Sequence, residues 1–168
     1  FLTAYGGGAG KLSATAGISL THAKYVITRY YEQFSGLTTW KRRVVDRARR
    51  DGFVPTISGR RRRLPDMLSA SEELRSRAER QAINAVVQGS ASDICKKAMI
   101  KAYPEVKGIN GRLLVQVHDE LVVSVPDDDE VNCYVDTLRM SMGHGRILKD
   151  VPLVVSAHTG ATWSEAKE

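Results

Sequence analysis

The chain has 168 residues, 42% apolar and 26% charged, which is about one domain of sequence with enough apolar material to bury a core. No run approaches the roughly eighteen apolar residues a membrane span needs, and Phe1-Leu2-Thr3-Ala4-Tyr5 followed by glycines lacks the basic-then-apolar layout of a signal peptide. A cytosolic (cytoplasmic) protein with no membrane partner is expected. The net charge of +6 is unevenly placed: ten basic residues against two acidic ones between Lys41 and Arg63 give a local balance of +8, and the rest carries 15 basic against 17 acidic residues. A segment that dense and one-signed is either the electrostatic footprint of a polyanion, most often nucleic acid, or a solvated helix face.

In chain order, Phe1 and Tyr5 are spaced i,i+4 as on a helix face, and Gly6-Gly7-Gly8 would end that helix. A second helix starts at Ser19 or Thr21, carries Ala23, Ile27, Tyr30, Tyr31 and Phe34 at helical spacing, and stops at Ser35-Gly36. A third, Thr38 to Asp51, turns Trp40, Val44, Val45 and Ala48 inward and its Lys and Arg residues outward, with Gly52 closing it. Phe53 to Ile57 and Arg60 to Leu64 read as a short hairpin around Ser58-Gly59, ending at Pro65-Asp66.

Ser69 followed by Glu72 predicts a capping box for the longest helical pattern, through Leu74, Ala78, Ala82, Ala85 and Val86. Its polar side places Arg80, Asn84 and Gln88 at i, i+4 and i+8 with Arg77 close by. Such a row supplies donors and acceptors suited to base edges or sugar and phosphate oxygens, or it is an amide-rich solvent face. Gly89 predicts a kink or restart, after which Ile94, Cys95, Ala98, Met99 and Ala102 continue an apolar stripe to Tyr103-Pro104. Cys95 and Cys133 lie far apart in apolar helical patterns, outside any Cys-x-x-Cys pair, so both are expected to be buried free thiols.

The stretch from Leu113 to Pro126 brings two β-branched, Leu-rich runs together at His118-Asp119-Glu120, a buried hairpin with a polar tip. None of the three tip residues is the Asn-Gly or Asp-Gly that turn geometry selects. Two adjacent carboxylates on a rigid hairpin suit a divalent metal held near a substrate, and a polar tip facing water is the alternative. Asp127 to Glu130 then serve as dipole partners for a helix carrying Val131, Tyr134, Val135, Leu138 and Met142. Pro152 to Val155 reads as a last strand, Trp163 as a packing residue, and no domain boundary is visible.

Several of these segments, in order, resemble the C-terminal part of family A (DNA polymerase I-like) DNA polymerases over essentially the whole chain. Phe1 to Gly6 is similar to the end of the family's fingers helix. Gly59-Arg60-Arg61-Arg62-Arg63-Leu64-Pro65-Asp66 resembles its Gly-Arg-Arg-x-x-x-Pro-Asp signature, and Ala78 to Asn84 with Gln88 to Asp93 resembles the helix that follows. Gln116-Val117-His118-Asp119-Glu120 matches its palm motif, and Val151 to Trp163 is similar to its C-terminus. Gly7-Gly8, Arg63, Val86 and His158 depart from the family pattern.

The resemblance implies an α+β module in which helices of the fingers base pack on a partial antiparallel palm sheet with a central hairpin. Residues 1–66 would be fingers-derived with the basic hairpin, and 67–168 the palm portion. It implies template-directed DNA synthesis, with Asp119 as one of two aspartates binding two Mg²⁺ ions, Glu120 assisting, and His118 contacting the primer end. Phe1 and Tyr5 would line the dNTP pocket. Arg80, Asn84 and Gln88 would read minor-groove acceptors and backbone of the primer-template DNA, and Arg60 and Arg61 would help to hold duplex phosphates. The family's other metal-binding aspartate and its triphosphate-gripping Lys and Arg lie upstream of Phe1 in the pattern, so the chain alone is expected not to polymerise without that upstream segment, in cis or in trans. Two other readings are a nucleic-acid-binding module that has lost its chemistry, against which His118-Asp119-Glu120 argues, and part of a single-subunit RNA polymerase, against which Glu120 argues.

Overall fold

The computed structural model describes residues 7–143, 148 and 151–167. The chain packs as two compact units, Phe1–Ser90 and Ala91–Glu168. Five α-helices, two short antiparallel hairpins and two 3₁₀ turns make up the described residues, in the order α1 Ala9–Ala16, α2 Leu20–Gln33, α3 Ser35–Asp51, β1 Phe53–Pro55, β2 Arg61–Arg63, a 3₁₀ turn Pro65–Leu68, α4 Glu72–Gly108, β3 Arg112–Val117, β4 Glu120–Ser124, α5 Val131–Gly143 and a 3₁₀ turn Glu165–Lys167. This is the mixed α+β class expected.

In the first unit α1 was not foreseen; Gly8 and Gly17 bracket it, Gly17 as a left-handed cap with φ 66°. Ser19 caps α2 by accepting from the His22 amide at 3.2 Å. The chain does not pause at Ser35-Gly36, because α3 begins directly after Phe34. The core gathers Val44 and Ala48 of α3, Val54 of β1, Leu64, Met67 of the 3₁₀ turn, and Ala78, Ala82 and Ile83 of α4, with Trp40, Val45, Ala85 and Val86 against it. The periodicity of the two helices is therefore what builds this core.

Two expectations about α4 fail. Its start is capped by Ser71, whose Oγ accepts the Leu74 amide at 3.4 Å, and not by a Ser69–Glu72 box. Ser69 is engaged one step earlier: its Oγ accepts the Ser71 amide and its carbonyl accepts the Arg75 guanidinium at 2.7 Å. Nor does the helix restart at Gly89: it runs as one α-helix through that position and past Pro104 to Gly108. Gly89 is small for a different reason. A Cβ there would lie 2.6 Å from Thr56 Cγ2, because the β1–β2 hairpin rests on the helix at this point. Arg60 donates to the Gly89 carbonyl at 3.1 Å, and the Ile57 amide donates to Ser90 Oγ at 2.9 Å, fastening the hairpin there.

In the second unit Ala98, Ala102 and Val106 of α4 are buried. The β3–β4 hairpin pairs Arg112 with Ser124 and Val117 with Glu120, with a bulge at Leu114 between Leu113↔Val123 and Val115↔Val122. It is not the buried hairpin expected: Leu114 and Val115 are exposed. Both cysteines are free, but Cys95 is half-buried and Cys133 exposed. No strand forms at Pro152 to Val155 among the described residues.

The acids before α5 behave as helix-start residues. Asp128 Oδ1 accepts the Glu130 amide at 3.0 Å, and the Tyr134 hydroxyl donates to Asp128 at 3.0 Å and Glu130 at 3.3 Å. Desolvation first, then these carboxylates, push the Tyr134 hydroxyl up to about 12. A raised folded pKa means that the brace is intact below the ordinary tyrosine value of about 10 and is lost as pH rises toward 12. In an absorbance titration of phenolate formation, Tyr134→Phe should therefore remove a step near pH 12.

Candidate functional site

Two sets of side chains carry the candidate chemistry, one in each unit. In the first unit, Arg80, Asn84 and Gln88 all stand exposed along one side of α4, while Ala78, Ala82 and Ile83 of the same turns are buried. The helical period thus does what the sequence spacing requires, turning the row outward and anchoring it from behind. Arg80 is steadied by donating to Ser76 Oγ at 2.7 Å.

The basic hairpin belongs to the same unit. Arg61, Arg62 and Arg63 form β2 and are all exposed, opposite Pro55, Val54 and Phe53 respectively. The Arg61 guanidinium lies 4.7 Å from the centroid of the Phe53 ring, its diagonal cross-strand neighbour, so it is oriented without being neutralised. Arg60 has a structural duty through the Gly89 carbonyl. On α3, Arg49 pairs with Glu79 of α4, and Asp51 sits between Arg47 and Arg50. The hydrogen bond from Arg50 holds the Asp51 carboxyl below its usual range. Part of the charge run is therefore internally compensated, and the arginines of β2 keep the clearest outward presentation.

In the second unit, His118 and Asp119 form a two-residue turn, and Glu120 is already the first residue of β4, so the tip is shorter than the three-residue turn expected. His118 has φ 53°, a left-handed conformation that is uncommon for non-glycine residues although histidine is among those enriched there. Gln116 Nε2 donates to the His118 carbonyl at 3.1 Å and ties the turn down. Backbone conformations of this kind persist where the surroundings fix them, often at functional sites.

The turn separates two neighbouring carboxylates. Asp119 is exposed at the tip. Glu120 is engaged: Trp163 Nε1 donates to its Oε1 at 2.6 Å, and Lys167 Nζ lies 3.3 Å from its Oε2. The indole hydrogen bond, first, and the ammonium hold the Glu120 carboxyl below its usual range. Burial, with Asp119 as a further cause, pushes the Cys95 thiol up, which leaves it a poor nucleophile.

Trp163 is thus not the packing residue expected; it is 44% exposed and serves as a donor. Nothing in the sequence spacing signals this contact, which joins residues 43 positions apart. Among the described residues no group of three or more His, Cys, Asp or Glu side chains converges into a metal cage. The single open carboxylate of Asp119 nonetheless fits Mg²⁺, which is commonly held by one or two carboxylates plus substrate phosphates and water. Phe1 and Tyr5, expected to bind nucleotide, lie outside the described residues. No helix of the described residues is long and apolar enough to cross a membrane.

Comparison with known proteins places these features in one lineage. The family model described as DNA polymerase family A matches residues 1–165. The thermostable DNA polymerase I of Thermus filiformis is 41% identical over 166 residues, covering 98% of this chain and 19% of that protein. DNA polymerase I of Mycobacterium bovis is also 41% identical over 166 residues, covering 97% and 18%. The solved POL domain of Pol1 from M. smegmatis, in complex with DNA primer-template and dNTP, superposes with a TM-score of 0.91 at 40% identity, over 99% of this chain and 30% of that one. The chain spans about a fifth of the length of the curated relatives it matches. With the family model running almost end to end, the chain belongs to DNA polymerase family A.

Proposed function

We propose that this chain forms part of a template-directed DNA polymerase, contributing to nucleotidyl transfer from a dNTP to a primer 3′-hydroxyl. The observation that carries this reading is the exposed Asp119 carboxylate at the tip of the β3–β4 hairpin, inside a chain whose residues 1–165 match the family. A relative 40% identical to it was solved with DNA primer-template and dNTP bound, which makes the same ligands the natural ones here.

Asp119 would hold Mg²⁺, with a second carboxylate supplied by an upstream segment of the polymerase. When bound, the metal ions acidify the attacking hydroxyl and offset charge on the phosphoryl oxygens. The chain's own residues bind and orient. His118, fixed by its constrained backbone, would contact the primer end, and Glu120 would support the tip without being a ligand. Arg80, Asn84 and Gln88 would hydrogen-bond minor-groove acceptors, which every correctly paired step presents, and the sugar-phosphate backbone, so the contact tolerates any sequence. Arg60 and Arg61 would help to hold duplex phosphates, and Phe1 and Tyr5 would line the nucleotide pocket. In this scheme residues 1–66 are the fingers-derived part and 67–168 the palm part, with α4 carrying residues of both compact units. A cytoplasmic, DNA-associated location follows from the activity.

Primer extension with one dNTP at a time tests the reading: incorporation should follow the template base and require Mg²⁺. The DNA-contact assignment has its own test. Arg80→Ala should weaken primer-template binding by roughly 10-fold and lower the slope of log affinity against log salt by about 1, independent of DNA sequence. Anisotropy titrations from low to moderate salt measure both, and an unchanged slope would remove Arg80 from the interface.

A further inference from the structure

We propose that Trp163 and Lys167, in the C-terminal segment, are positioning residues that hold the Glu120 carboxylate by both oxygens and so leave Asp119 as the one open carboxylate of the hairpin tip. The proposal rests on the polymerase reading above and adds to it a duty for residues outside the β3–β4 hairpin.

The contacts form a closed set. Trp163 Nε1 donates to Glu120 Oε1 at 2.6 Å, Lys167 Nζ lies 3.3 Å from Glu120 Oε2, and the same ammonium sits 5.0 Å from the centroid of the Trp163 ring. Each member touches the other two. An indole N–H can only donate, and a hydrogen bond to an ionised carboxylate is stronger than a neutral one. The ammonium over the ring adds a cation–π contact that fixes the ring's angle toward Glu120.

The segment bearing the two residues is itself built to hold them. Glu165 Oε2 accepts the Ala161 amide at 2.9 Å, the Ala166 amide donates to the Thr162 carbonyl at 3.1 Å, and the Lys167 amide donates to the Ser164 carbonyl at 3.1 Å. A Cβ on Gly160 would meet the Ala166 amide nitrogen at 2.7 Å, so the turn closes too tightly for a side chain. The result is a compact loop of residues 160–167 that places an indole and an ammonium on the first residue of β4.

Holding Glu120 has a chemical consequence. Two adjacent carboxylates at one tip would compete for a cation and leave its position undefined. With one oxygen given to Trp163 and the other to Lys167, Glu120 is charge-compensated and occupied as an acceptor, and a cation approaching the tip finds Asp119 open. Misplacing a reacting group by about 1 Å can cost on the order of 100-fold in rate, so the choice of carboxylate matters.

A double-mutant cycle in the full polymerase polypeptide tests the proposal. Trp163→Phe keeps an aromatic ring for the lysine and loses only the donor, and Lys167→Met keeps the stem and loses only the charge. Each should lower single-turnover incorporation at saturating Mg²⁺ and dNTP by about 10-fold, with primer-template affinity unchanged. In an Glu120→Ala background neither should have a further effect, because its target is gone. Hydrogen exchange on the DNA-free protein supplies a readout apart from activity: amides of residues 118–121 should exchange faster in Trp163→Phe, and those of 53–63 should not.

A purely structural role predicts the opposite pattern, with losses that persist in the Glu120→Ala background and exchange that rises throughout. That result, or unchanged exchange at the tip, overturns the proposal. If Asp119→Ala abolishes extension while the cycle is additive, the positioning role fails and the polymerase reading stands. If Asp119→Ala extends primers as well as the parent, the polymerase reading fails and takes the proposal with it.

Discussion

Replacing Asp119 with alanine should reduce single-turnover nucleotide incorporation by about 10³-fold while leaving primer-template affinity within a few-fold of the parent. The size follows from what the carboxylate would do. Metal-assisted stabilisation of charge in a displacement at phosphorus amounts to several kcal/mol, and roughly 4 kcal/mol corresponds to about a thousandfold in rate. The specificity follows from geometry: Asp119 stands exposed on a two-residue turn whose conformation is set by the left-handed His118 and the Gln116 bond, so its removal leaves the hairpin pairing intact. DNA affinity should survive because the side chains assigned to duplex contact, Arg80, Asn84, Gln88 and the β2 arginines, lie on other elements. Quench-flow incorporation paired with anisotropy separates the two effects. A variant that loses binding and rate together would assign Asp119 to binding, not chemistry.

Gly111→Ala should be a strongly damaging single-methyl change in the second unit. A Cβ at Gly111 would sit 2.8 Å from the Ser124 carbonyl oxygen, 3.0 Å from that of Val106 and 3.2 Å from Val106 Cγ1. The two oxygens are backbone, one at the end of β4 and the other in the last turn of α4, and the Gly111 amide already donates to Val106 at 2.8 Å. No flexible side chain can yield, so the junction between helix and hairpin must open. Overpacking of this kind costs about 1–3 kcal/mol, a fall in Tm of roughly 2–4 °C per kcal/mol for a chain of this size. Gly108→Ala is the matched control: nothing lies within 4 Å of its added Cβ, and alanine is the better helix residue by about 0.5–1 kcal/mol. Thermal melts of the two should diverge, Gly111→Ala downward and Gly108→Ala level or upward.

What the sequence made legible was whatever repeats with a local period. The inward faces of α3 and α4, the Ser19 cap, the β1–β2 hairpin, the outward row of Arg80, Asn84 and Gln88, and the strand–turn–strand around Asp119 are all short-range patterns, and the structure has them. The misreadings concern contacts between distant segments. Gly89 looked like a helix break because the sequence shows only that a side chain is missing, not that Thr56 lies 2.6 Å from where it would be. Trp163 looked like core because indoles are largely apolar, yet its N–H meets a carboxylate 43 residues away. Ser69 and Ser71 are two residues apart, and only the chain path after the 3₁₀ turn decides which one reaches the Leu74 amide. The Pro152 to Val155 run has strand-like residues, but a strand also needs a neighbour, and that is not a local property.

The most direct measurement of the central claim is single-nucleotide primer extension by the polypeptide that joins this chain to an upstream segment bearing the second carboxylate and the triphosphate-gripping cations. We expect incorporation of the template-complementary dNTP in Mg²⁺ and its loss on chelation. Tight primer-template binding without incorporation under any metal condition would contradict the account and select a nucleic-acid-binding module in place of a polymerase.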